Sequence, residues 1–184
     1  MNTQPLSVEE VFAQAHEGKL WAGHLIPGLD EKRDDSFATV APHNGSEIGR
    51  VAKGNASIID QAVESAREGF NSGVWSKLAP AERKEIMQRW ITLLEQHAEE
   101  LAALDCIDGG KPITECRETD IPETLTTLHW YAEAVDKIYG KVAPTGGDAV
   151  GLIVQEPIGV VGNGMDPSFC AKLDITSSQQ CTEH

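Results

Sequence analysis

The 184-residue chain carries 29 Asp and Glu against 15 Lys and Arg, a formal net charge of −14. Nucleic acid and anionic membrane surfaces both demand a basic face, so neither is an expected partner. Hydrophobic content of 40% with 24% charged residues is that of a folded domain rather than a disordered segment.

No apolar run approaches the length of a membrane span. The acidic stretch Ser7-Val8-Glu9-Glu10 lacks the basic-then-apolar layout of a secretory signal, and cytoplasmic localisation is expected. Residues 1–19 are predicted to be a lead-in with one helix from Val8 to His16, ended by Gly18. From Leu20 to Lys53 the pattern changes to short strands. Leu20-Trp21-Ala22 and His24-Leu25-Ile26 lead into the turn pair Pro27-Gly28. Phe37-Ala38-Thr39-Val40 alternates and runs into Pro42, Asn44-Gly45 offers positive φ angles for a tight hairpin, and Ile48 and Val51 continue beyond it. This reads as a β-meander.

Ser57, with Asp60 three residues on, predicts a capping-box-like helix start. Ile59, Ala62, Val63, Ala66 and Phe70 then share one face until Gly73. Pro80 suits the first turn of a second helix, and Glu82 and Glu85 suit its positive end. Met87, Trp90, Ile91, Leu94, Ala98 and Leu101 predict one continuous stripe over about six turns, closed by Gly109-Gly110. A third helical stretch runs from Pro112 to Lys137, with a break or kink expected at Pro122. Leu125, Leu128, Ala132 and Val135 line its second half. Residues 141–150 are a Pro/Gly-rich crossing, and Gly151–Gln155 is a predicted strand. Glu156–Gly162, bounded by Pro and Gly and β-branched at three positions, is predicted to be a buried strand opening a parallel sheet.

Chemistry-bearing residues are sparse. Cys106, Cys116, Cys170 and Cys181 are irregularly spaced, which does not make a disulfide framework. Cys181-x-x-His184 has no second half to complete a zinc site. Cys106 and Cys116 sit on helices without an evident base or helix N-terminus, so structural thiols are expected. Gly159-x-x-Gly162-x-Gly164 lacks the helix and the following acid of a dinucleotide fingerprint. Lys111 follows a helix C-terminus, the wrong end for an anion, and is expected to be a surface lysine. His97 and His129 lie on mixed helix faces and are expected to be solvated or at the core edge.

Several stretches fall in one order. Phe37-Ala38-Thr39-Val40-Ala41-Pro42, Gly73-Val74-Trp75-Ser76, Pro80-Ala81-Glu82-Arg83 and Ala98-Glu99-Glu100-Leu101-Ala102 come first. Ile107-Asp108-Gly109-Gly110-Lys111-Pro112, Asp120-Ile121-Pro122 and Trp130-Tyr131-Ala132 follow. Asp136-Lys137-Ile138-Tyr139-Gly140 and Glu156–Gly162 complete the series. Together, over about residues 20–162, they closely resemble the N-terminal part of the NAD(P)-dependent aldehyde dehydrogenases. Within that family the chain looks most like bacterial enzymes acting on aminoaldehydes, the γ-glutamyl-aminobutyraldehyde dehydrogenases among them.

The resemblance implies an α/β fold: an incomplete N-terminal portion of a Rossmann-like cofactor domain, with a β-meander, three long helices and the first sheet strands. It leaves residues 163–184 as an unmatched tail, expected to be disordered. The family oxidises aldehydes to carboxylic acids through a thiolate nucleophile, an oxyanion site, a base for the deacylating water and NAD or NADP. Where the family continues with Pro-Trp-Asn-Phe-Pro, this sequence reads Asn163-Gly164-Met165-Asp166-Pro167-Ser168. The family's cofactor lysine, glycine-rich turn, glutamate base and nucleophilic cysteine have no counterpart here. The resemblance therefore implies a truncated, inactive member with no catalytic or cofactor-binding residue of its own, which does not bind NAD or NADP. The alternative expectation is a non-catalytic fragment that associates with full-length subunits or is captured by chaperones. It further implies a monovalent cation held between the backbone carbonyl of Thr39-Val40 and the carboxylate of Asp108, oxygen ligands of the kind hard cations take.

Overall fold

A computed structural model describes residues 4–29 and 35–162 of the chain. Residues 163–184, and with them the expected tail, Gly164, Cys170, Cys181 and His184, lie outside the described residues. The first helix, α1 (Val8–His16), begins at a reciprocal cap. The Glu10 N–H donates to Ser7 Oγ at 3.2 Å, and the Ser7 N–H donates to Glu10 Oε2 at 2.7 Å. That bond to the Ser7 backbone holds the Glu10 carboxyl below its usual range.

Three strands follow: β1 (Leu20–Ala22), β2 (Ser36–Val40) and β3 (Glu47–Ala52). β2 and β3 form the expected antiparallel hairpin, but their order is β1-β3-β2 and β1 runs parallel to β3. The meander is thus corrected. Leu20 has to join the small core of Ala15, Ala41, Ile48 and Ile107, and β3 offers its free edge for that. Gly49 permits the approach, because a Cβ there would lie 2.6 Å from Leu20 Cβ. His24-Leu25-Ile26 forms no strand, and Leu25 is fully exposed with nothing to pack on. At the hairpin tip only Gly45 has positive φ, at 71°. Asn44 instead uses its side-chain oxygen to accept the Ser46 N–H at 2.9 Å.

The helix α2 (Ala56–Ser72) starts one cap earlier than predicted. Asn55, not Ser57, is the cap, its side chain accepting the Ile58 N–H at 3.1 Å. Gly73 ends the helix in the left-handed region. Pro80 opens α3 (Pro80–Gln96) as expected, and Glu82 Oε2 accepts the Ala79 N–H at 2.8 Å.

The predicted single stripe to Gly109 is broken at His97 (φ −99°, ψ 12°), where α4 (Ala98–Gly109) begins. The stripe serves two cores. Met87 and Ile91 of α3 pack with Leu128 and Ala132, whereas α4 buries Ala102, Ala103 and Ile107 and packs on α1. Trp90, expected on the buried stripe, is exposed.

After Gly110 come a single turn, α5 (Ile113–Glu115), a π-helical segment Cys116–Asp120, and α6 (Ile121–Ala134). The expected break at Pro122 is replaced by helical dihedrals throughout. Widening the ladder lets the Ile121 N–H reach the Cys116 carbonyl, and the proline sits in the first turn of α6, where a missing N–H costs little.

β4 (Lys141–Ala143) and β5 (Gly151–Ile153) make a second antiparallel hairpin. Glu156–Gly162, predicted as a buried strand, forms none. Ile158 and Val161 are exposed, and no strand among the described residues runs beside this stretch to complete a ladder. Among the described residues no helix is long and apolar enough to cross a membrane.

Candidate cation site and ion-pair cluster

The predicted site residues come together where the end of β2 meets the C-terminus of α4. Thr39 Oγ1 donates to Asp108 Oδ1 at 2.8 Å, which ties strand to helix. The β2–β3 register shifts between Thr39 and Val40, a local irregularity of the kind that re-aims a backbone. Gly110 closes α4 with φ 71°, and a Cβ there would stand 3.2 Å from Pro42. The partial negative charge of the α4 C-terminus adds to the Asp108 carboxylate, so the corner around Val40 and Asp108 favours a small cation. The donor set fits: one carboxylate, already accepting one hydroxyl proton, beside strand backbone.

A second cluster was not legible as a site. Gly109-Gly110 turns the chain back, so residues flanking the turn converge. The ligand atoms of Asp105, Cys116 and Asp120 all lie within 4.8 Å of one another. Lys111, expected on the surface, sends its ammonium into this group, 2.7 Å from Asp120 Oδ2 and 3.7 Å from Asp105 Oδ2. Asp105 Oδ2 is buried and has no hydrogen-bond partner, so that ammonium is its compensating charge. The Asp120 hydrogen bond in turn raises the Lys111 pKa. Spacing alone hides the convergence; the only sequence signal is an Asp on each side of a Gly-Gly-Lys turn.

The cluster fixes the character of both described cysteines. Cys116 is fully buried, and burial followed by a hydrogen bond to Asp105 pushes its thiol up to about 12. Cys106 is pushed up as well, first by burial and then by the Asp105 charge. Neither makes a ready thiolate.

The histidines pair with carboxylates. His97 Nδ1 lies 2.7 Å from Glu100 Oε2, which also accepts the Leu6 N–H at 3.3 Å, and His129 Nε2 lies 3.2 Å from Glu95 Oε1. Gly159 has φ 114°, and no helix opens after Gly162 among the described residues.

Residues 29–163 match the aldehyde dehydrogenase family. The aminoacetaldehyde dehydrogenase of Pseudomonas aeruginosa is 48% identical over 162 residues, which is 87% of this chain and 33% of that protein. The P. syringae indole-3-acetaldehyde dehydrogenase, solved in complex with NAD+, is 41% identical with a TM-score of 0.73, covering 84% of this chain and 32% of that one. The γ-glutamyl-γ-aminobutyraldehyde dehydrogenase of Burkholderia cenocepacia is 33% identical with a TM-score of 0.74, again covering 84% of this chain and 32% of that one. The chain spans about a third of the length of such relatives.

Proposed function

This chain belongs to the aldehyde dehydrogenase family, and on that premise we propose that it is the N-terminal part of an enzyme that oxidises an aldehyde to a carboxylic acid with NAD or NADP. Aminoaldehydes are the favoured substrate class, and the cytoplasm is the compartment. The observation that carries the reading is the 48% identity over 162 residues to a protein named for aminoacetaldehyde. The NAD+ complex of a 41%-identical relative supports the cofactor class. In this reading the 184-residue chain is itself inactive. Thiohemiacetal formation needs a thiolate, and a thiol at about 12 leaves Cys116 protonated at neutral pH. Val40 and Asp108 hold a monovalent cation in the same reading, bracing β2 against α4.

The test is spectrophotometric. The purified chain, given a panel of amino- and alkyl-aldehydes with NAD or NADP, is expected to produce no reduced cofactor. The dinucleotides are expected to leave its melting temperature unchanged. Turnover of any aldehyde would overturn the inactivity.

A second reading, association with full-length subunits or chaperones, is favoured by one observation. Ile59, Val63 and Phe70 on α2 and Leu152 and Val154 at the β5 hairpin are large apolar side chains left in solvent.

A further inference from the structure

α2 has finished ends and an unfinished face. Asn55 caps its start and Gly73 its end, yet it buries none of its residues, and no helix or strand among the described residues packs extensively along it. Ile59, Val63 and Phe70 are 62%, 42% and 37% exposed, with Ala62 and Ala66 between them on the same stripe. A free helix of this length is marginal in water, and such a stripe is the pattern of a helix that packs. α3 repeats the feature. Its Met87 and Ile91 face α6, while Ile86, Trp90 and Leu93, spaced four and three residues apart, stay exposed.

We propose that the α2 face is a docking surface for the part of an aldehyde dehydrogenase chain that follows the segment matched here, supplied by a separate polypeptide. The identity of this partner rests on the functional reading above. Three occupants compete, and two fit poorly. An intact subunit carries its own counterpart of 84% of this chain in the same fold, so its equivalent surface is already covered from within. A second copy would bring together two chains of net charge −14 along a helix that also carries Asp60, Glu64 and Glu68. The remaining length of a relative, of which this chain spans 33%, has the size to cover both exposed stripes and lacks a helix of its own to do so.

The experiment co-expresses the 184-residue chain with the segment of the P. aeruginosa aminoacetaldehyde dehydrogenase that follows its 162-residue match. Size exclusion with light scattering is expected to show a soluble one-to-one complex. Ile59→Asp and Val63→Asp each weaken it by roughly 10-fold or more, whereas Gln61→Asp, on the polar face, leaves it unchanged. These side chains are exposed, so circular dichroism of the chain alone should show each variant folded like the parent. An insoluble or unbound partner segment overturns the proposal. So does a complex indifferent to Ile59→Asp, preferential binding to the intact enzyme, or a homodimer lost in Ile59→Asp. Reduced-cofactor formation by the complex is read separately: a complex without turnover refutes the functional reading and leaves the docking surface standing.

Discussion

Replacing Lys111 by methionine removes the only cation that the structure brings to the Asp105–Cys116–Asp120 group, while keeping the length of the aliphatic stem. The ammonium stands 2.7 Å from one carboxylate and 3.7 Å from another, and both acids are only 14% exposed. Charges that close attract by several kcal/mol at an effective dielectric near 20. Most of this is offset by desolvation, and the lysine side chain, 44% exposed, remains partly screened by water. What survives in the variant is the cost of a buried Asp105 oxygen with no hydrogen-bond donor and no nearby cation. That cost is expected to be about 1–3 kcal/mol, below the figure for a fully buried pair. Urea unfolding followed by circular dichroism reads it directly. With a slope near ~1.5 kcal/mol/M, a loss of ~2 kcal/mol moves the midpoint by more than ~1 M. Lys111→Arg should keep most of the stability. Lys137→Met, which removes an exposed pair with Asp136, should leave the midpoint where it is. If Lys111→Met shifts the midpoint no further than Lys137→Met, the cluster is not a clamp and the argument fails.

Alkali should loosen the same region. The Cys116 thiol is raised from 9.0 to about 12 in the folded chain, so its contribution is fully present below pH 9 and is lost as pH climbs from 9 toward 12. The expected slope is about 1.4 kcal/mol per pH unit in that window, and Cys116→Ala should flatten it; an unchanged slope in the variant would refute the assignment. Gly49→Ala should be the costliest single methyl in the small sheet. Its Cβ would lie 2.6 Å from Leu20 Cβ and closer still to the Leu20 carbonyl, forcing β1 away from β3. A loss of about 2 kcal/mol or more is expected from such overpacking, with faster amide exchange at Trp21. Gly45→Ala meets nothing within 4 Å and carries only the strain of φ 71°, so it should cost about 1 kcal/mol. Equal melting temperatures for the two variants would contradict the close β1–β3 approach.

Local chemistry was the part of the fold written plainly in the sequence. The bounds of α1, the start of α3 at Pro80, the hairpin around Gly45 and the stop at Gly110 each follow from a capping or turn residue acting on its neighbours. The departures arise where distant parts of the chain decide. One periodic stripe from Met87 to Leu101 looked like one helix, because periodicity does not say that its halves face different partners. Pro122 looked like a break, because the π widening that accommodates it comes from a backbone bond between Ile121 and Cys116. Glu156–Gly162 has strand composition, but composition supplies no neighbour to pair with. At the site, Asp108 and the Thr39-Val40 pair were named from the resemblance, and their meeting is visible in the Thr39–Asp108 bond. The Lys111 cluster was hidden because its members are spread over sixteen positions (Asp105 to Asp120) and meet only once the double-glycine turn has folded.

The π-helical segment has a consequence for how this stretch can change. Cys116–Asp120 holds one residue more per turn than an α-helix needs, so deleting a single residue there would leave a regular rod with every backbone bond made. The rod would still be wrong. Each residue turns a helix by about 100°, so everything downstream would rotate by that angle relative to everything upstream. Leu128 and Ala132 would swing off Met87 and Ile91 while Cys116 stayed beside Asp105. The surplus residue is in effect a phase adjuster between the polar cluster and the α3–α6 core, and neither can be kept in place without it.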